Sequence, residues 1–175
     1  TGGDLKNVSA LGAGQSVFLT QHIGDLANPQ VRDLQSSSVT DTGRMFGITP
    51  EAVVCDLHPG YASSRYAEAY AAEHDLPLHR VQHHHAHIAG CLAEYGHEGP
   101  AIGLAFDGAG YGTDGRIWGG EVLTVDGAAF ERTAHLEYLP LPGGDAATRW
   151  PNRVAIAYLT HLCPEVPIDR LLNGA

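Results

Sequence analysis

Ala52-Val53-Val54-Cys55-Asp56-Leu57 is a short apolar run closed by the turn residues His58-Pro59-Gly60. Such a run reads as a strand buried within a sheet. Tyr61 to His74 follows with helical character, then Leu78 to Val81 as a second short strand and roughly His84 to Tyr95 as a second helix. Ala101-Ile102-Gly103-Leu104-Ala105-Phe106 supplies a third strand that ends at Asp107. Strand, helix, strand, helix, strand is a βαβαβ rhythm, and it predicts an α/β fold.

Upstream, the apolar stretches Val8 to Leu11 and Val17 to Leu19 flank Gly12-Ala13-Gly14-Gln15 and read as a β-hairpin. Pro29 to Phe46 reads as a mostly helical segment that ends before Gly47. Downstream, Gly108 to Gly115 is turn-rich, and strands near Ile117 to Val125 and Phe130 to Tyr138 look antiparallel around Asp126-Gly127. The expected sheet is therefore mixed and flanked by helices. Pro140-Leu141-Pro142-Gly143-Gly144-Asp145 reads as a loop, and Pro151 suits the first turn of a last helix reaching about Leu162.

With 43% hydrophobic and 17% charged residues among 175, the chain can bury one good core. A net charge of -10 with ten Lys plus Arg leaves little basic surface for a nucleic-acid backbone, so no nucleic-acid partner is expected. No apolar stretch is long enough to cross a bilayer, so no membrane partner is expected either. Cys55, Cys91 and Cys163 are far apart and form no C-x-x-C pair; core filling in a reducing cytoplasm is the reading. A start without Met and a stop at Asn173-Gly174-Ala175 suggest a piece of a longer chain.

The chemistry concentrates in Val81-Gln82-His83-His84-His85-Ala86-His87, which holds four of the eleven histidines. His83 and His87 are four apart, so a helix stacks them on one face, the spacing with which two imidazoles grip one metal ion. Asp107 falls at the carboxyl end of a strand, where open α/β sheets place ligand-binding residues, and is the expected third ligand. The competing reading is a polar helix start facing solvent; four histidines in five residues weigh against it. His84 and His85 point to other helix faces and stay open between substrate contact, ligand orientation and plain surface.

Several glycine-rich turns suit an anion. Gly108, Gly110 and Gly112 would let the backbone approach a phosphate, and Gly143 and Gly144 allow the same reading; a plain connection is the alternative. Lys6, in Gly2-Gly3-Asp4-Leu5-Lys6-Asn7, is a further phosphate-binding expectation against a solvated turn. Arg65, beyond His58 and Tyr61, would reach an anionic substrate or sit beside a helix cap made by Ser63 or Ser64.

Gly2-Gly3-Asp4-Leu5-Lys6-Asn7, Gln21-His22-Ile23-Gly24-Asp25-Leu26, Asp56-Leu57-His58-Pro59, Gln82-His83-His84-His85-Ala86-His87, and Asp107-Gly108 to Gly112 with Trp118-Gly119-Gly120-Glu121 occur in series. Together they resemble the HypF-type carbamoyltransferases that mature nickel–iron hydrogenases. The resemblance implies an actin-like, sugar-kinase-like (ASKHA) lobe related to tRNA threonylcarbamoyladenosine synthases, with residues 1–175 as the first part of that carbamoyl-transfer domain. It also implies that the acylphosphatase-like, zinc-finger and YrdC-like parts lie elsewhere and that the piece alone is inactive.

In that family carbamoyl phosphate and ATP give carbamoyl-adenylate, and the carbamoyl group passes to the C-terminal cysteine of a HypE acceptor. By position, His83, His87 and Asp107 match the ligands and catalytic centre of a divalent metal, zinc or iron. A further aspartate ligand would come from downstream. An O-carbamoyltransferase acting on small-molecule hydroxyls, and a non-catalytic metal- or nucleotide-binding module, are the alternatives.

Overall fold

The computed structural model describes residues 2–144 and 146–167. Asp145, which closes the expected Pro140 to Asp145 loop, and Asn173-Gly174-Ala175 lie outside the described residues. The chain divides into two compact units, Thr1–Thr133 and Ala134–Ala175.

The first unit opens with a hairpin, β1 (Ala10–Ala13) and β2 (Ser16–Leu19), paired antiparallel from Ala10↔Leu19 to Ala13↔Ser16. Gly12 and Ala13, expected in the turn, extend the first strand; the turn itself is Gly14-Gln15, with Gly14 at φ +59°. A two-residue turn needing positive φ matches the twist of the strands it joins. Helix α1 (Pro29–Phe46) has the expected bounds. The Asn28 side chain accepts the Gln30 N–H, Pro29 begins the first turn, and Gly47 ends the helix in the left-handed region.

Strand β3 (Val53–Asp56) runs through helix α2 (Ala62–Glu73) into β4 (Leu78–Val81), and β3 and β4 pair parallel from Val53↔Leu78 to Asp56↔Val81. This is a βαβ unit, and both strands finish at the same edge. The α2 cap is not Ser63 or Ser64. The carboxylate of Asp4 accepts the N–H of Ala62 (2.9 Å) and of Ser63 (3.0 Å), while the Ser64 hydroxyl turns back to the Asp56 carbonyl. The N-terminal loop is thereby fastened to the strand edge.

Helix α3 (His83–Glu94) leads to β5 (Ala101–Tyr111), β6 (Ile117–Asp126) and β7 (Ala129–His135). Here the structure corrects the expected arrangement. Parallel and antiparallel pairing both occur, but they are divided among three small sheets; β5 leaves the parallel pair and starts a three-stranded sheet in the order β5-β6-β7. The short link from Tyr111 to Ile117 makes antiparallel pairing with β6 the nearest available partner. Strand β5 also does not stop at Asp107. It breaks register between Phe106 and Gly110, then resumes with Gly110↔Trp118 and Tyr111↔Ile117.

The core of this unit is built from Leu26, Cys55, Ala67, Ile88, Trp118 and Leu123. Ile88 of α3 packs onto β5 at Gly103, where an added Cβ would stand 2.2 Å from the Ile88 side chain. Only glycine permits that approach. The second unit carries α4 (Ala146–Arg149) and α5 (Pro151–Leu162), the latter with the expected bounds. Among the described residues no helix is long and apolar enough to cross a membrane.

Candidate metal centre

Strand β4 ends at Val81, and Gln82 stays extended (φ -65°, ψ 135°) before α3 begins. Its side-chain oxygen accepts the His85 N–H at 2.9 Å, so Gln82 is the helix cap and His83 is the first helical residue. His87 then lies one turn on, and the two Nε2 atoms are 3.1 Å apart. The break in β5 starts after Phe106 and brings in Asp107, whose Oδ2 is 3.3 Å from His83 Nε2 and 3.4 Å from His87 Nε2. One ligand atom from each residue lies within 4.8 Å of the others.

These separations suit one small cation. Ligands on a tetrahedral zinc at about 2.0–2.1 Å stand roughly 3.3–3.4 Å from one another. The donor set of two imidazoles and a carboxylate suits zinc or iron equally.

A second carboxylate orients the first of these imidazoles. His83 Nδ1 is 2.7 Å from Asp56 Oδ2, so the ring donates its Nδ1 proton there and aims the Nε2 lone pair at Asp107 and His87. The other Asp56 oxygen accepts the His58 N–H at 2.8 Å. Burial pushes the Asp56 carboxyl up, but the His83 hydrogen bond, the His58 N–H and the neighbouring imidazoles outweigh it and hold the group below its usual range. The Asp56 hydrogen bond raises His83 above an ordinary imidazole against the pull of burial. A bound cation competes with that extra proton.

His84 and His85 face inward. His84 is fully buried, with Nε2 2.5 Å from Asp107 Oδ1, and His85 Nε2 is 3.1 Å from the Gly127 carbonyl. On the rim, Tyr61 stacks on His58 with ring centres 4.1 Å apart, and a Cβ on Gly3 would be 4.0 Å from the His83 ring. Burial, then the charges of Asp56, Asp4 and Asp107, push the Tyr61 hydroxyl up.

The expected phosphate groups fare differently. Lys6 is exposed and Gly108 is open to solvent. Gly110 is buried on β5, where a Cβ would stand 2.6 Å from His84 Cε1. The Gly112 N–H is already donated to the Arg116 carbonyl at 2.8 Å. What reads as an open glycine loop is strand as far as Tyr111 and turn from Gly112, with Gly110 and Gly112 both closely packed. Gly143 and Gly144 belong to the second unit, where the Gly144 N–H closes a turn onto Leu141. Arg65 folds back to the Gly60 carbonyl at 2.7 Å and does not reach outward. Of the three cysteines, Cys55 is buried, with its thiol pushed up mainly by burial; Cys91 is exposed, against the core-filling expectation.

Asp56 is missing from the expected site, whereas His84, open between substrate contact, ligand orientation and plain surface, lies buried against Asp107. The strand-end rule that singled out Asp107 also applies to Asp56, which ends the strand beside the one feeding the histidines. A groove of about 400 Å³ opens beside His87 and Asp107, lined by Cys91, Leu92, Leu104 and Phe106.

Comparison with known proteins agrees in order along the chain. Residues 1–94 match the family model described as the HypF Kae1-like domain, and residues 103–173 match the second subdomain of the carbamoyltransferase Kae1-like domain. Carbamoyltransferase HypF2 of Cupriavidus necator is 50% identical over 90% of this chain and 20% of its own length. Carbamoyltransferase HypF of Rhizobium leguminosarum is 43% identical over 91% of this chain and 20% of its own. The crystal structure of full-length HypF in its phosphate- and nucleotide-bound form is similar at a TM-score of 0.84 and 42% identity, covering 91% of this chain and 21% of that one. The chain thus spans about a fifth of the length of these relatives.

Proposed function

The chain belongs to the HypF Kae1-like domain family, and from that premise we propose that it is a carbamoyl-transfer region acting in hydrogenase maturation. In this reading carbamoyl-adenylate, made from carbamoyl phosphate and ATP, gives its carbamoyl group to the C-terminal cysteine thiol of a HypE-like acceptor. The observation that carries the reading is the convergence of the His83, His87 and Asp107 ligand atoms within 4.8 Å.

His83 and His87 would hold a divalent cation, zinc or iron, through Nε2, and Asp107 through Oδ2. When bound, the cation supplies Lewis acidity toward a carbonyl or phosphoryl oxygen. Asp56 keeps the His83 proton at Nδ1 so that Nε2 stays a donor of electrons. Within the first unit, Lys6 and Gly108 are the members of the expected phosphate set that remain exposed, and a relative solved with phosphate and nucleotide bound supports a nucleotide substrate for the full-length protein. The nucleophile is the acceptor's thiol. In this reading the acceptor, and neither the buried Cys55 with its raised thiol nor the exposed Cys91, supplies the sulfur, and the reaction runs in a reducing cytoplasm.

The test is mass spectrometry of a HypE-like acceptor incubated with the full-length protein, ATP and carbamoyl phosphate. The expected result is one added carbamoyl mass on the acceptor, lost in His83→Ala and His87→Ala together with one equivalent of metal. Absence of carbamoyl mass with the wild type, or unchanged metal content in both variants, refutes the proposal.

A further inference from the structure

His84 takes no part in the ligand set, yet it is the most buried residue of the cluster, at 0% exposure. We infer that His84 is the positioning residue that makes Asp107 a single-oxygen ligand. The inference rests on the proposed cation site and adds to it.

The hydrogen bonds settle which ring nitrogen carries the proton. Because the Gln82 oxygen accepts the His85 N–H, the Gln82 amide nitrogen is the end that faces His84 Nδ1 at 3.1 Å and the Tyr111 carbonyl at 3.2 Å. An amide N–H can only donate, so Nδ1 accepts and the ring proton resides on Nε2. That proton points at Asp107 Oδ1, 2.5 Å away. Oδ1 is thereby engaged, and Oδ2 is the oxygen left facing His83 and His87. Carboxylate torsions are broad, so without this bond Asp107 would be free to swing or to present both oxygens.

The ring itself is held from several sides. Trp118 lies 6.2 Å away at an interplanar angle of 24°, and the Arg132 guanidinium sits over the Trp118 ring at 4.1 Å. Arg132 is fixed by Glu121 at 2.6 Å, and the Trp118 N–H by Asp114 at 2.9 Å. Gly110 lets β5 pass directly over the imidazole. The Trp118-Gly119-Gly120-Glu121 segment thus supports the site through His84, and its Gly119 also lies against the Asp107 backbone carbonyl.

A histidine that merely fills the core would change cation affinity, if at all, without reference to Asp107. The experiment is a double-mutant cycle in the full-length protein, with zinc(II) and iron(II) affinity at this site read by chelator competition. His84→Leu is expected to weaken binding about 10- to 100-fold, the usual effect of losing such a partner. In an Asp107→Ala background the same change is expected to cost less than about twofold, because its target is gone.

His84→Gln, whose amide nitrogen replaces the lost donor, is expected to recover affinity to within about threefold of wild type; it decides the matter alone if His84→Leu does not fold. Equal losses in both backgrounds, no loss in His84→Leu, or a Gln variant tenfold weaker than wild type would overturn the role of His84. Wild-type protein whose binding is indifferent to His83→Ala and His87→Ala would instead overturn the cation site, and this inference with it.

Discussion

The first unit contains two acid–base pairs built on similar lines and left in opposite states. In Arg132–Glu121 the carboxylate, 2% exposed, takes the Arg132 Nε–H and the N–H groups of Gly119 and Gly120. Burial pushes Glu121 up, but these partners prevail and hold it below its usual range. In His83–Asp56 the acid is also buried and held low, but the base keeps one nitrogen aimed at His87 and Asp107. The first pair, with Asp114 3.6 Å from Arg132, is engaged in holding the fold; the second leaves a lone pair pointed at the other candidate ligands, which is what a binding site requires. The difference lies in the base: guanidinium is all donor, whereas imidazole can donate at one nitrogen and accept at the other.

The comparison can be broken most easily at its structural half. Arg132→Met strands a buried carboxylate and is expected to lower unfolding free energy by about 3–5 kcal/mol in chemical denaturation; a cost no greater than that of Asp56→Asn would erase the distinction. Next, Gly110→Ala is expected to destabilise by about 1–3 kcal/mol, since its Cβ would press on His84 and His83. Gly108→Ala, with nothing within 4 Å, should stay within about 0.5 kcal/mol of wild type by the same assay.

At the functional half, Asp56→Asn is expected to weaken cation binding about 10- to 100-fold while the protein still folds, as read by isothermal titration. Undiminished affinity would remove Asp56 from the site. The smallest effect is in pH. In metal-free protein, the contribution of the raised His83 is complete below about 6.5 and is lost as pH rises through its native value; that of the lowered Asp56 is present above about 3.9 and is lost as pH falls through its native value. The stability gap between wild type and Asp56→Asn should therefore narrow toward both ends of a pH series. A gap that widens at either end contradicts the pair.

These contrasts also show what local sequence can carry. Helix α1 has its expected bounds because Asn28, Pro29 and Gly47 mark both ends in adjacent residues. The histidine pair was legible for the same reason, being one turn of one helix. Contacts made at long range were not. Asp4 caps α2 from 58 residues away, and no local pattern announces it. Strand β5 was cut short because glycines at 108, 110 and 112 read as a turn, when the first two lie within the strand, Gly110 close against His84, and only Gly112 enters the turn. His84 remained ambiguous until the crossing of β5 over α3 placed Asp107 against it.

The central claim is that His83, His87 and Asp107 share one cation. X-ray absorption at the iron edge of the full-length protein loaded with one equivalent of iron(II) tests it directly. Two imidazole nitrogens and one carboxylate oxygen from this chain are expected, with one imidazole lost in each of His83→Ala and His87→Ala. A spectrum unchanged by either substitution would contradict the claim.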